Sequence, residues 1–360
     1  MLPANLLLSD RDKRGKTMKQ SVLVILLVLS FSATADTIVY TARKIITMEP
    51  ALPEASAVMV EGDRIVAVGT LESLARLIAQ RNARIDRQLA DKVLMPGFID
   101  PHVHPSLPAV LTQFPFLAPD DWSLPTGEFP GARTPEDFEK RLKALVADFD
   151  QQDVPFIAWG YHPLWHGEVY REQLNAWFPD TPVMLWHRSF HELIGNDAAF
   201  NMLDVSEADA VAAHEADWAR GHFWENGLKA LVPKLGFLFQ PDRFTAGMAN
   251  FLEMLHRGGV TTALDMGTGI FGNPEQEIGL IRSVAEQSGA PSRLILTPII
   301  TDFLARGRTP EQAHAEIQRW REGNSRRVMI DRHFKLMMDG AIFSGLAQMG
   351  PPGYLDGHEG

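Results

Sequence analysis

The stretch from Val93 to Pro105 constrains this chain more than any other, because an apolar run ends there in two histidines separated by one residue. Successive side chains of an extended strand alternate between its faces, so His102 and His104 point the same way and can share one metal ion. Asp100 has the same parity and is placed to accept the free N–H of a ligating imidazole. The pattern predicts a buried strand that delivers metal ligands; the alternative is a pair of solvated or core histidines.

The full string, an apolar run followed by Pro-Gly, then Asp and His-x-His-Pro, resembles the first-strand signature of the metal-dependent amidohydrolase superfamily. Residues 334–340 resemble the fourth-strand motif of its YtcJ-like branch, amidohydrolase family 3. The resemblance implies that His102 and His104 hold the first of one or two zinc ions. It also implies that Lys335 is carbamylated and bridges to the second.

Lys335 also stands out by itself, because it interrupts an apolar strand predicted over His333–Asp339. A charged lysine is costly to bury, so it needs a partner or a chemical change. The alternatives to a metal ligand are an exposed lysine on an edge strand and an ion pair with Asp331 or Asp339.

Two further segments resemble motifs of the same branch. The residues around His191 match a segment that implies a substrate-facing histidine, with an ordinary loop histidine as the alternative. Gly221 to Glu225 resembles a turn whose role is expected to be architectural. A cluster of Trp, Tyr and His within residues 159–177 is typical of either a pocket wall or the packing of a lobe.

Strands and helices alternate regularly from about residue 245 onward, which indicates a parallel sheet covered by helices. We expect a TIM-type (β/α)8 barrel of which about the first four strands are present. Residues 36–92 predict a small N-terminal β-sandwich part, and residues 93–360 the partial barrel, with an inserted α/β lobe at about 106–240. Arg133–Phe149 predicts an amphipathic helix in that lobe, with Thr134 as its N-cap.

Charge and cysteine content exclude several classes of protein. The formal net charge is −11, from 34 basic and 45 acidic residues, which argues against a nucleic-acid partner. The chain has no cysteine, which excludes disulfides, cysteine-ligated zinc and a thiol nucleophile. The partner expected is a small-molecule substrate, and the sequence allows a homo-oligomer.

Residues 1–35 contain a secretory signal pattern: a basic start, an apolar run from Val22 to Leu29, and Ala33-Thr34-Ala35 before Asp36. The apolar run is shorter than the roughly 20 residues that span a bilayer. We therefore expect a periplasmic or secreted protein with no stable membrane association after cleavage.

The function that the resemblance implies is hydrolysis of C–N bonds in amides, formamides or cyclic amides by metal-activated hydroxide. The alternatives are a secreted non-catalytic barrel that binds small molecules, and a metal-dependent phosphotriesterase or lactonase. In the amidohydrolase pattern two more histidines and the catalytic aspartate lie on later strands, which places them beyond Gly360. The sequence thus predicts an incomplete, inactive fragment.

Overall fold

The computed structural model describes residues 36–337, 339, 342, 347–355 and 357. Residues 36–96 belong to one compact unit, and the residues from 97 onward form a second. The predicted signal segment, residues 1–35, lies outside the described residues. Among the helices of the described part, none combines the length and apolar character needed to cross a membrane.

The first unit is one mixed sheet with one helix. Its strands are ordered β3-β2-β1-β4, with β5 also paired to β1. Val39 and Met59 are buried against Leu74 of the helix. A second sheet layer, as in a sandwich, is not among the described residues of this unit. The elements are β1 (Thr37–Ile46), β2 (Glu54–Glu61), β3 (Arg64–Gly69), α1 (Leu71–Arg81), β4 (Arg84–Asp86) and β5 (Val93–Leu94).

The second unit begins with the strand of the His-x-His pair and continues into the residues predicted as an inserted lobe. Thr134 caps the helix predicted there, since its hydroxyl accepts the Asp137 N–H at 3.2 Å. The elements up to residue 239 are β6 (Phe98–Val103), α2 (Ser106–Leu111), β7 (Trp122–Leu124), β8 (Gly127–Phe129), α3 (Pro135–Ala147), β9 (Phe156–Tyr161), α4 (Pro163–His166), α5 (Arg171–Trp177), β10 (Val183–His187), β11 (Glu192–Gly195), α6 (Asp197–Met202), α7 (Glu207–Ala213), β12 (Ala216–Asp217), β13 (His222–Trp224), α8 (Asn226–Leu231) and a 3-10 helix (Val232–Phe239).

The lobe has its own five-stranded sheet, ordered β12-β13-β11-β10-β9. β9 and β10 are parallel, whereas β10, β11, β13 and β12 pair antiparallel. The two faces of the sheet are covered by different cores. Trp159 and Trp186 pack on one face, and Ala158 and Leu185 on the other, as the alternation of side chains along a strand requires.

Regular alternation of helix and strand returns after the lobe. The remaining elements are α9 (Pro241–Arg257), β14 (Val260–Thr268), α10 (Pro274–Gln287), β15 (Arg293–Pro298), α11 (Ile300–Ala305), α12 (Pro310–Arg321) and β16 (Val328–Ile330). β6, β14, β15 and β16 form a parallel sheet in chain order, and α9, α10 and α12 bury apolar side chains against it. The predicted α/β architecture is present, but the sheet of the described residues is open and no closed barrel is formed.

The fourth strand was predicted over His333–Asp339, and this position is wrong. The strand is β16, which ends at Ile330. The chain then bends. In this bend the His333 Nδ1 atom lies 3.0 Å from both carboxylate oxygens of Asp331. Among the residues that the structure describes beyond the bend, a single bridge, Ile299 to Lys335, continues the parallel pairing.

Candidate functional site

A cavity of about 760 Å³ lies at the carboxyl ends of β6, β14 and β15. The parallel sheet lines it with His102, His104 and Lys335. The lobe lines it with aromatic side chains and with polar ones that include His191 and Glu225. Ligands of α/β proteins bind at this edge of a parallel sheet, so the cavity is the candidate site.

The two predicted ligands lie side by side at this edge. The ring centroids of His102 and His104 are 5.2 Å apart, with the rings at 82° to each other. Partial burial lowers the pKa of His102, and the neighbouring His104 and Lys335 lower it further. A lowered pKa favours the neutral imidazole, which is the form that binds metal.

His104 faces a carboxylate that the sequence reasoning did not select. Its Nδ1 atom is buried and has no hydrogen-bond partner among the described residues. The Asp265 Oδ1 atom lies 3.6 Å from it, which is longer than a hydrogen bond. Asp265 is 2% exposed, and its carboxylate accepts the Gly267 N–H at 2.9 Å and the Thr268 hydroxyl. It is therefore held in a fixed orientation beside the ring.

Gly267 makes this close approach possible. A Cβ atom at residue 267 would lie 2.8 Å from the His104 Nδ1 atom, a distance that forces the ring to move. The glycine thus keeps space for the imidazole next to β14.

A second buried carboxylate lies behind the loop that follows His104. Glu277, in the first turn of α10, accepts the Ser106 hydroxyl on one oxygen and the Gly269 N–H at 2.7 Å on the other. Burial raises the pKa of Glu277, and the charge of Asp265 raises it further. This carboxyl group therefore ties the loop after β6 to the loop after β14.

Lys335 reaches the cavity from beyond β16. Its N–H donates to the Pro298 carbonyl at 2.8 Å, and its own carbonyl accepts the Ile300 N–H at 3.0 Å. The predicted acidic partners are engaged elsewhere: Asp331 with His333, and Asp339 with the Gln348 N–H at 3.1 Å. The structure thus brings Lys335 to the same cavity as the histidine pair.

Asp100 is placed differently from its prediction. Its Oδ1 atom accepts the backbone N–H of His102 at 3.1 Å, a contact that fixes the end of β6 rather than an imidazole. The carboxylate beside the His104 ring is Asp265, on the neighbouring strand.

His191 lines the cavity from the lobe, and Glu225 lies against it. The His191 Nδ1 atom is 2.8 Å from the Glu225 Oε1 atom. Gly221 to Glu225 was expected to be an architectural turn, yet the glutamate itself lines the cavity. Of the aromatic cluster within residues 159–177, Trp159 lines the cavity, whereas His166 is buried on the other face of the lobe sheet.

Three acidic residues of the site were missed by sequence reasoning. Asp265 carried a signal, because it interrupts the apolar strand β14. Glu277 carried none, since it lies in a polar first turn of a helix. Glu225 reaches the cavity only through the pairing of β11 with β13, which no local pattern shows.

The residues present fit part of a metal site. Two imidazoles and a lysine converge, and one imidazole nitrogen is buried without a hydrogen bond. Within the described ranges, no group of three or more His, Cys, Asp or Glu is arranged to hold a metal ion. The pair with Lys335 therefore supplies some of the ligands that a complete site needs.

Comparisons with known proteins agree with this arrangement. Residues 87–356 match the sequence model of the amidohydrolase family. The exoenzymes regulatory protein AepA of Pectobacterium carotovorum subsp. carotovorum is 27% identical over 172 residues, which are 46% of this chain and 34% of that protein.

Two solved structures have a similar fold. An uncharacterized metal-dependent hydrolase from Pyrococcus horikoshii OT3 is 18% identical, with a TM-score of 0.61 over 88% of this chain and 57% of that one. Another from Pyrococcus furiosus is 17% identical, with a TM-score of 0.58 over 87% and 59%. The chain thus spans about a third of the curated relative and less than 60% of each solved chain.

Proposed function

Because the chain belongs to the amidohydrolase family, we propose that it carries one side of the active site of a metal-dependent hydrolase acting on C–N bonds of amides, formamides or cyclic amides. The observation that carries this proposal is the convergence of His102, His104 and Lys335 in one cavity at the carboxyl edge of a parallel sheet. When bound, a divalent ion such as zinc supplies a Lewis acid and a hydroxide source near neutral pH.

Each residue has a distinct part in this proposal. His102 and His104 would hold a first ion, and the carbamate that the neutral Lys335 amine forms with carbon dioxide, with loss of a proton, would be a ligand for a second. The Asp265 carboxylate, whose Oδ1 atom lies 3.6 Å from the His104 Nδ1 atom, influences the orientation of that ring through its charge. The chain's own groups thus place the ligands, and partial burial lowers the pKa of His102 and so favours its neutral form.

The composition of the cavity wall supports the proposal that the substrate is uncharged and carries an apolar or aromatic group. Apolar side chains make up most of the wall. Such a wall binds a hydrophobic group, and a few polar contacts determine the orientation of the ligand. The aromatic side chains contributed by the lobe are Phe116, Trp122, Trp159, Trp186 and Phe190.

The test compares His102→Ala and His104→Ala with wild type in the full-length protein. We expect metal content to fall to background in both variants, and hydrolysis of formanilide and acetanilide to be lost with it, because the imidazoles are the metal ligands. The control is His256→Ala, since His256 is 64% exposed on α9 and is not one of the residues that line the cavity. Wild-type metal stoichiometry in either variant would refute the ligand assignment.

The same assay separates the alternative chemistries. A lactone and a phosphotriester are included in the substrate panel. If the protein hydrolysed the lactone or the phosphotriester but not the anilides, the bond that it cleaves would not be a C–N bond. If it bound metal but hydrolysed none of the substrates, it would be a binding protein.

A further inference from the structure

We propose that His191 and Glu225 form a recognition pair, in which Glu225 positions His191 so that its Nε2 atom accepts a hydrogen bond from the N–H of a neutral secondary amide. The inference rests on the proposed function for the class of substrate. The geometry of the pair is a property of the chain alone.

The pairing of two antiparallel strands brings these residues together. Glu192 of β11 lies opposite Trp224 of β13, so the next residue outward on each strand is His191 and Glu225. The backbone N–H of Glu225 donates to the His191 carbonyl at 3.0 Å. The side chains then meet through His191 Nδ1 and Glu225 Oε1 at 2.8 Å. Two contacts, one of backbone and one of side chains, therefore fix the pair.

The hydrogen bond decides which tautomer His191 adopts. An ionised carboxylate can only accept, so the proton between the two groups belongs to His191 Nδ1. A neutral imidazole with a proton on Nδ1 has an acceptor lone pair on Nε2. Glu225 is the more covered partner, with its side chain 14% exposed against 32% for His191. Both residues line the cavity, and the histidine is the more exposed member of the pair.

The backbone around the pair is strained in a way that ordinary packing does not require. Glu225 has φ 41° and ψ −107°, and Phe190 has φ 71°. Such angles are unfavourable for residues other than glycine and are retained mainly where a site needs them. The strain places both residues where they line the cavity.

The surroundings explain why one acceptor would matter. Phe190, Trp186 and Leu228 make most of this part of the wall apolar, although Ser189 and Lys229 also line it. In such a wall a single fixed polar atom selects the orientation of a ligand, because an unmatched polar group would be desolvated without a partner. An amide N–H next to an aromatic ring matches both the acceptor and the wall.

A similar pair on the opposite face of the same sheet provides a control. His222 Nε2 lies 2.8 Å from Glu192 Oε2, and neither residue lines the cavity. Replacing Glu192 thus removes a histidine-bound carboxylate of the lobe without touching the proposed recognition pair.

The first experiment reads the tautomer directly. In the full-length protein labelled with 15N-histidine, long-range proton–nitrogen correlation shows which ring nitrogen carries the proton, and the signals lost in His191→Gln identify His191. We expect the Nδ1–H form in wild type and a shift toward the Nε2–H form in Glu225→Gly. Glycine removes the carboxylate while tolerating the positive φ. Glu225→Gln should retain the Nδ1–H form, because its amide oxygen still accepts.

The second experiment measures recognition without requiring turnover. Acetanilide binding is followed by quenching of tryptophan fluorescence, since Trp159 and Trp186 line the cavity. We expect His191→Gln and Glu225→Gly to weaken binding roughly tenfold, as the loss of one hydrogen bond does. Glu225→Gln should restore much of it, and Glu192→Gln should leave it unchanged.

These outcomes separate this inference from the proposed function. An Nε2–H tautomer in wild type, or the same spectrum in Glu225→Gly, would overturn the positioning role even in a zinc-loaded, active enzyme. No acetanilide binding to wild type, or an equal loss in Glu192→Gln, would overturn the recognition role. A protein that binds acetanilide through His191 but holds no metal would refute the hydrolase proposal and leave the pair intact.

Discussion

The cavity has two histidine–carboxylate arrangements, one from each sheet, and they are built differently. On the parallel sheet, His104 Nδ1 is buried 3.6 Å from Asp265 with no hydrogen bond among the described residues. On the lobe, His191 Nδ1 lies 2.8 Å from Glu225. A buried polar atom without a partner costs about 1–3 kcal/mol, so a fold retains one only where something else compensates. This difference supports the proposal that the parallel sheet holds the metal ligands and that the lobe recognises the substrate.

The two regions also bury titratable groups, and these make the stability of each region depend on pH in opposite directions. On the parallel-sheet side, burial raises the pKa of Glu277, with a further increase from Asp265. In the lobe, burial lowers the pKa values of His166 and His187 to about 4. Acid should therefore weaken the lobe, whereas alkali should weaken the parallel sheet.

The largest effect that separates the two regions should come from Asp265→Asn. The substitution removes the negative charge beside His104 but keeps an oxygen for the Gly267 N–H, so the fold should survive. We expect metal affinity to fall by about 10-fold to 100-fold, the usual effect of losing a group that orients a metal-bound histidine. Competition with a chromophoric chelator measures it.

The control for Asp265→Asn is a matched substitution in the lobe. Glu192→Gln removes a carboxylate bound to two histidines, His187 at 3.3 Å and His222 at 2.8 Å, outside the cavity lining. Its metal affinity should equal that of wild type. Equal affinities for Asp265→Asn and wild type would instead show that the carboxylate beside His104 has no part in metal binding.

The second prediction concerns stability against pH. His166 and His187 have folded pKa values below the ordinary value of 6.5, so the stability they contribute is full above pH 6.5 and is lost as the pH falls toward 4. The slope is at most about 1.4 kcal/mol per pH unit for each histidine. Hydrogen exchange of β9 and β10, corrected for intrinsic rates, should show this loss.

Glu277 should produce the opposite slope. Its folded pKa lies above the ordinary value, so its contribution is full at acid pH and is lost as the pH rises through the folded pKa. Exchange in β14 and α10 should therefore quicken toward alkaline pH, and Glu277→Gln should abolish that trend. If both regions lost protection as the pH changed in the same direction, the proposed contrast between them would be wrong.

The smallest effect should come from Gly267→Ala. The added Cβ meets only the far end of the His104 side chain, at 2.8 Å, so the ring can turn aside with little cost in folding free energy. Metal affinity should fall about tenfold, the lower end of the range for a disturbed ligand orientation. The control is Gly279→Ala on α10, where a Cβ meets nothing within 4 Å. An equal effect of the two substitutions would show that Gly267 has no special relation to the ring.

The sequence was sufficient to predict structural features that a short segment of the chain determines. The parity of His102 and His104 along one strand predicted two side chains in one cavity, and both line it. The apolar strands separated by helices predicted the order of the parallel sheet. Lys335 lies in the expected cavity although the fourth strand is not at the predicted His333–Asp339 but ends five residues before Lys335, at Ile330.

Sequence reasoning failed where partners come from distant parts of the chain. The role expected of Asp100 depended on parity within one strand, whereas Asp265 comes from the neighbouring strand at a register that no local pattern shows. The pairing of His191 with Glu225 likewise depends on which strand lies next to β11. Such contacts follow from topology, and the side chains that form them have no periodicity of their own.

The position of the lobe within the chain has a consequence for folding kinetics. β6 and β14 are neighbours in the parallel sheet, yet the whole lobe lies between them in sequence. Contacts between residues so far apart form slowly, because a long segment must first be ordered or looped out. We expect the lobe to fold early and β6 to dock late, so His102 and His104 would assume their final geometry among the last steps. A mutation that only slows folding of the lobe would then delay metal uptake without touching a ligand.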